Sequence, residues 1–155
     1  MTFRHSVAVA AEPQVLFDLT QDYSRHLDWD PFLKEAGLVG GAERAGLGAR
    51  AWCVARNGIG METRYVSFEP PRVCAVEMTR GPWFIRSFAG SWRFDRLEPG
   101  RSRVTFTYRL VGRPRFLTRL IGLVFARETR RRLEALKRAA ESAPRPPEAS
   151  CTGSA

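Results

Sequence analysis

The sequence predicts an α+β domain: a curved antiparallel sheet of seven strands, two short helices after the first strand, and one long C-terminal helix laid across the sheet. Three observations carry this. Residues 81–94 and 103–110 alternate with period two, so Phe84, Phe88, Trp92 and Phe94 share one sheet face with Val104, Phe106, Tyr108 and Leu110. Gly and Pro punctuation cuts residues 36–111 into six short runs with brief connections, which suits a meander and leaves no room for crossover helices. A face so rich in large rings must be covered, and the only long helical segment able to cover it begins near Pro114.

Each element has its own signal. Residues 3–9 alternate and read as the first strand. Pro13 then sits near the first turn of a short helix whose apolar contacts come from Val15, Leu16, Phe17 and Leu19. A second helical turn covers residues 23–27 and closes at Leu27-Asp28-Trp29-Asp30-Pro31-Phe32, because Asp30 precedes a proline and is pushed from helical geometry. Strands follow at Leu38-Val39 and at residues 49–56, 60–68, 72–79, 83–94 and 103–111. The long helix runs from about Pro114 to Glu141. In it Gly122, Ala126, Thr129, Leu133, Leu136 and Ala140 recur three or four apart, small residues first and leucines later. Facing the sheet, such a stripe packs closely at its C-terminal half and stands off a cavity at its N-terminal half. Residues 1–142 form one domain, and residues 143–155, rich in Pro, Ser and Ala without periodicity, are expected to be a disordered tail.

Composition narrows the function classes. A chain of 155 residues builds one core, burying roughly two-thirds of its unfolded surface without staples. Cys53, Cys74 and Cys151 are odd in number and lack metal-type spacing, so a reducing, cytoplasmic location is expected. The apolar run at residues 7–11 is too short for a secretory signal, and Arg119 and Arg127 bracket the most apolar stretch well short of the roughly 20 residues of a membrane span. The net charge of +9 is mostly arginine, much of it between residues 113 and 138. Such a patch fits an anionic membrane, an acidic partner, nucleic acid or simple solvation of a helix face. Nucleic acid ranks last, because no aromatic stacking platform accompanies the arginines. With His5 and His26 far apart, and no Ser-His-Asp order or phosphate loop, neither metal nor cofactor is expected.

The order of elements resembles the helix-grip fold of the START-like superfamily, also called SRPBCC or Bet v 1-like, and within it the polyketide cyclase/dehydrase and lipid-transport group. Trp29-Asp30-Pro31, Phe68-Glu69-Pro70-Pro71-Arg72, Gly81-Pro82-Trp83 and Gly90-Ser91-Trp92-Arg93-Phe94 carry the resemblance, which covers nearly everything but the tail. These segments shape turns and fill space beneath the helix, so they speak for fold more than for activity. The resemblance implies a cavity between sheet and helix for a hydrophobic small molecule: a lipid, a quinone or a polyketide-like chain. It allows a cyclase or dehydratase, a carrier working at a membrane surface, or a ribosome-associated toxin-like protein.

Strand parity nominates the residues that face this cavity. Phe84, Phe88, Trp92 and Phe106 are its expected aromatic floor, with Gly122 and Ala126 leaving space above. Counting back from Phe68 through Val66 selects Arg64 and Glu62, and counting back from Trp92 through Phe88 selects Arg86. A charge in an apolar cavity is costly unless paired, so Glu62 with Arg64 or Arg86 would make an internal ion pair able to hold a carbonyl or enolate. In aromatase/cyclases of the superfamily an arginine on this strand is implicated in orienting the polyketide, and Arg64 matches it by spacing. The expected catalytic pair is therefore Arg64 with a proton-relaying hydroxyl, Tyr108 rather than Tyr65, since Tyr65 has the opposite parity to Arg64. A separate surface is expected on the long helix, where Phe116, Leu117, Leu120, Ile121, Leu123, Val124 and Phe125 encircle the first turns between arginines. Such a surface could rest on an anionic membrane or pair with a second subunit.

Overall fold

The computed structural model describes residues 1–142; the expected tail, Cys151 included, lies outside the described residues. The elements are β1 (Thr2–Val9), α1 (Pro13–Gln21), α2 (His26–Trp29), β2 (Leu33–Val39), β3 (Arg50–Ala55), β4 (Gly60–Glu69), β5 (Val73–Arg80), β6 (Ile85–Glu98), β7 (Arg101–Gly112) and α3 (Leu117–Ser142). The seven strands form one antiparallel sheet in the order β1-β7-β6-β5-β4-β3-β2, a meander with β1 returned beside the last strand. The antiparallel meander is the one the alternating runs predict, and with α3 laid on it the element order is the helix-grip architecture that the resemblance implies. The strand expected at Leu38-Val39 begins earlier, at Leu33, because Asp30 accepts the Phe32 amide at 2.9 Å and turns the chain straight out of α2.

Helix α3, 26 residues and therefore about 39 Å long, lies across the inner face and packs on β1 and β7. Its C-terminal half carries the core: Leu133, Leu136 and Ala140 are buried together with Val9, Leu16, Phe17 and Phe94. Full burial of a leucine such as Leu136 contributes roughly 2–3 kcal/mol. The glycine of the predicted stripe acts differently from expectation. Gly122 is the point of closest approach to β1, where any Cβ would collide with the Phe3 ring, so it admits the strand's side chain and leaves no empty space.

Two β-bulges decide which side chains face the helix. In β4, Tyr65 pairs with Val76 and Ser67 with Ala75, so Val66 is an extra residue and is exposed. In β6, Ile85 pairs with Gly112 and Ser87 with Val111, so Arg86 is the extra residue. A bulge inserts one residue and thereby inverts the inside-outside alternation beyond it. Phe68 and Tyr65 therefore both point inward, edge to face with ring centroids 5.6 Å apart, and so do Phe88 and Ile85 on the other strand.

Candidate functional site

Between the sheet and the N-terminal half of α3 lies a cavity of about 360 Å³, inside the roughly 300–1,000 Å³ range of small-molecule pockets. Its floor is aromatic: Phe88 and Trp92 of β6 and Phe106 of β7 line it in the row the period-two pattern selects, and Phe84 joins them from the β5–β6 loop. Its roof is Leu120, Ile121, Val124 and Phe125 of α3. The roof is thus a different face of α3 from the predicted stripe. Gly122 is buried against Phe3 and Ala126 is half-buried, and neither touches the cavity.

The charged residues selected by parity are placed elsewhere. Arg64 stands on the outer face of β4, its Nη2 donating to Glu77 Oε1 at 2.6 Å. Glu62 shares that face and accepts from Arg50 at 3.4 Å and from the Thr79 hydroxyl at 2.8 Å. Arg86, the bulged residue of β6, is exposed and off the cavity wall. The bulge at Val66 reverses the count from Phe68, and Arg86 is itself displaced outward, so the expected internal pair of Glu62 with Arg64 or Arg86 is replaced by outward ion pairs. Tyr108 is buried but also off the wall. It stacks on Phe3 at 5.0 Å and donates to the Gly122 carbonyl at 3.3 Å, tying β7 to the helix.

In their place the inverted parity brings Thr63 and Tyr65 of β4 to the wall. The Tyr65 hydroxyl donates to Gln21 Oε1 at 2.5 Å, and the Tyr23 hydroxyl lies 3.0 Å from that of Tyr65. Because the single Tyr65 proton is committed to Gln21, Tyr23 must be the donor in this second bond. Gln21 Nε2 donates onward to Thr20 Oγ1 at 3.0 Å, and Thr20 bonds the Leu16 carbonyl at 2.9 Å. The chain is ordered end to end and anchored in α1, and its open end is the Tyr23 oxygen. Burial is the main force raising the pKa of both phenols far above the ordinary value of 10, so both are protonated at neutral pH. Burial also pushes the Cys53 thiol up to about 11 and the Cys74 thiol up to about 12. Both cysteines line the cavity as neutral groups and not as nucleophiles.

One charged side chain belongs to the wall, Arg132 of α3. Its guanidinium lies 5.5 Å from the Phe32 ring centroid, 5.7 Å from that of Trp92 and 5.9 Å from that of Phe106, near enough for cation–π attraction. Behind it sits Asp30, whose Oδ2 accepts from Arg132 at 2.8 and 2.9 Å and pairs with His26 Nε2 at 3.0 Å. Desolvation drives the Asp30 carboxyl upward, yet Arg132, His26 and the Phe32 amide together outweigh it and hold the group at about 2. An ionised Asp30 only accepts, so His26 carries a proton on Nε2, and its Nδ1 is buried without a partner among the described residues. The His26–Asp30 spacing of four residues on a helix was a readable pairing signal. Nothing local announces Arg132, which reaches the pair from 102 positions away.

Among the described residues no group of His, Cys, Asp and Glu is arranged to hold a metal ion, and no helix is long and apolar enough to cross a membrane. No curated protein matches the chain by sequence. Solved structures do. The Zhui aromatase/cyclase of a Streptomyces species superposes with a TM-score of 0.78 at 21% identity, covering 91% of this chain and 93% of that one. A START superfamily protein from Mycobacterium smegmatis gives 0.73 at 13% identity over 90% and 97%. Norcoclaurine synthase from Thalictrum flavum, solved with dopamine and hydroxybenzaldehyde, gives 0.71 at 11% identity over 94% and 89%. At such identities these likenesses speak for fold alone, but a family model matches residues 1–141, and by that match the chain belongs to the polyketide cyclase/dehydrase and lipid-transport family.

Proposed function

We propose that the cavity binds a hydrophobic, carbonyl-bearing small molecule of polyketide-like character, and that Tyr23, Tyr65 and Arg132 are its polar contacts. The observation that carries this reading is an aromatic-floored cavity of about 360 Å³ whose wall holds an ordered phenol chain and one guanidinium. Flat aromatic walls suit a flat or folding unsaturated chain, while the open oxygen of the neutral Tyr23 phenol can accept from an enol hydroxyl of such a chain without introducing charge. Likeness to an aromatase/cyclase supports turnover as the finer part of the proposal. In that chemistry an enol carbon of a folded poly-β-carbonyl chain bonds to a ketone carbon, the enol becomes a carbonyl, and the proton its hydroxyl gives up passes to the former ketone oxygen. That bond closes the ring, and loss of the new hydroxyl with a hydrogen from the adjacent carbon, as one water, leaves a double bond in it. Tyr23 is placed to relay that proton, its oxygen accepting from the enol hydroxyl as its own proton turns from Tyr65 to the ketone oxygen, and Arg132 to stabilise the developing enolate charge, with the cavity fixing which carbons meet. Cys53 and Cys74, both protonated, take no part.

Binding is tested by titrating neutral aminoanthracene and following its fluorescence. Val76 lines the cavity, so Val76→Trp fills it and is expected to weaken binding at least about tenfold, with circular dichroism unchanged. Undiminished affinity would remove the cavity from the function. Turnover is tested by supplying reactive poly-β-carbonyl chains and analysing ring-closure products. Tyr65→Phe is expected to keep aminoanthracene binding and lose control of the products. A wild-type protein that binds the probe but leaves the products unaltered is a carrier, a reading favoured by the exposed apolar start of α3 beside the cavity.

A further inference from the structure

We propose that the exposed face of the first turns of α3, together with Trp83 of the β5–β6 loop, is a docking surface for an anionic lipid membrane. Trp83 and Phe116 are each 78% exposed, Leu123 is 66% exposed, and Leu120 and Val124 are also exposed. Phe116, Leu120, Leu123 and Arg127 recur at helical spacing on one outward stripe. The loop and the helix start are held together, since Arg113 donates its backbone amide to the Phe84 carbonyl at 2.7 Å. A helix on the surface of a soluble domain ordinarily turns its polar side outward. Here Ile121 and Phe125 face the cavity from the inner side of the same turns and Leu120 and Val124 form the roof's edge, so Phe116 and Leu123, exposed and off the cavity, are apolar side chains with no part in the roof.

The charges around this patch select its partner. Arg113, Arg115, Arg119 and Arg127 are exposed, and residues 113–127 include no Asp or Glu. None of the four forms an ion pair among the described residues, whereas Arg131 pairs with Glu128 one turn further on. A second copy of the chain would bring an equal set of cations against this face, which repels. An anionic headgroup layer complements it, with the rings and leucines entering the acyl boundary and arginines reaching the phosphates. Leu120 and Val124 belong to both the patch and the cavity roof, so the cavity wall is continuous with the docking face. This inference does not depend on what the cavity binds.

The experiment is sedimentation of the full chain with phosphatidylserine-containing vesicles, with pure phosphatidylcholine vesicles as the comparison. Binding is expected to the anionic vesicles, weakening as salt is raised. Each arginine near the surface is worth about fivefold in partitioning, so Arg115→Glu with Arg119→Glu is expected to cost more than about twentyfold. Acyl-brominated lipids are expected to quench Trp83, and Trp83→Leu to bind while losing that quenching. Val76→Trp is expected to bind vesicles like the wild type, which separates this proposal from the fate of the cavity. Absence of binding at low salt, or binding indifferent to the charge reversal, overturns the proposal. A dimer in sedimentation velocity that Leu123→Ser dissolves, without vesicle binding, overturns it in favour of a second copy.

Discussion

Two arginine–carboxylate pairs of nearly equal length occupy opposite sides of the same sheet. Arg64 meets Glu77 at 2.6 Å on the outer face, both side chains about half exposed, while Arg132 meets Asp30 at 2.8 Å inside, where the Asp30 side chain is fully buried. Water screens the outer pair and competes with it, so little stability rests on it. The inner pair is held in low dielectric against three aromatic rings, and removing one partner strands the other. Chemical identity alone therefore says little about the role of a charge; the side of the sheet it occupies says most.

The sharpest way to break this comparison is to delete each arginine in turn. Arg132→Met is expected to destabilise the domain by about 3 kcal/mol, read from urea unfolding, because a buried carboxylate loses its countercharge. A loss below about 1 kcal/mol would place the two pairs on equal footing. Acid gives the next effect. Asp30 is held at about 2 in the fold against an ordinary 3.8, so its contribution is fully present above about pH 5 and is lost as pH falls through 4 toward 2, in total roughly 2 kcal/mol. Asp30→Asn is expected to flatten the stability profile in that window, and an unchanged slope would detach Asp30 from acid unfolding. Smallest is Arg64→Leu, expected to change stability by less than about 1 kcal/mol and to leave aminoanthracene affinity as it was. A marked loss of affinity would return Arg64 to the binding site.

Much of the architecture was legible because it follows from periodicity. Alternation marked the strands, Gly and Pro divided them, and Phe88, Trp92 and Phe106 line the cavity as the alternation places them because no bulge interrupts β6 between Phe88 and Phe94, whereas Phe84 reaches it from the loop before β6. The polar site was not legible for the converse reason. One bulge separates Phe68 from Arg64 and another displaces Arg86, and a bulge has no strong composition signal in a strand without an interior Gly or Pro at that point. Gly122 misled in a related way: a missing side chain can open a void or admit a neighbour, and Phe3 fills this one.

By itself the sequence determined the number and kind of elements, the antiparallel order, the greasy inner face and the excess of arginine at the start of α3, since each is a property of residues close together in the chain. Only the folded structure decided which charges lie inside. It set the parity of β4 through a single extra residue, chose the α3 face that roofs the cavity, and brought His26, Asp30 and Arg132 together from distant positions. Those outcomes depend on strand register and helix rotation, which are fixed by the packing of the whole core and by no local run of residues.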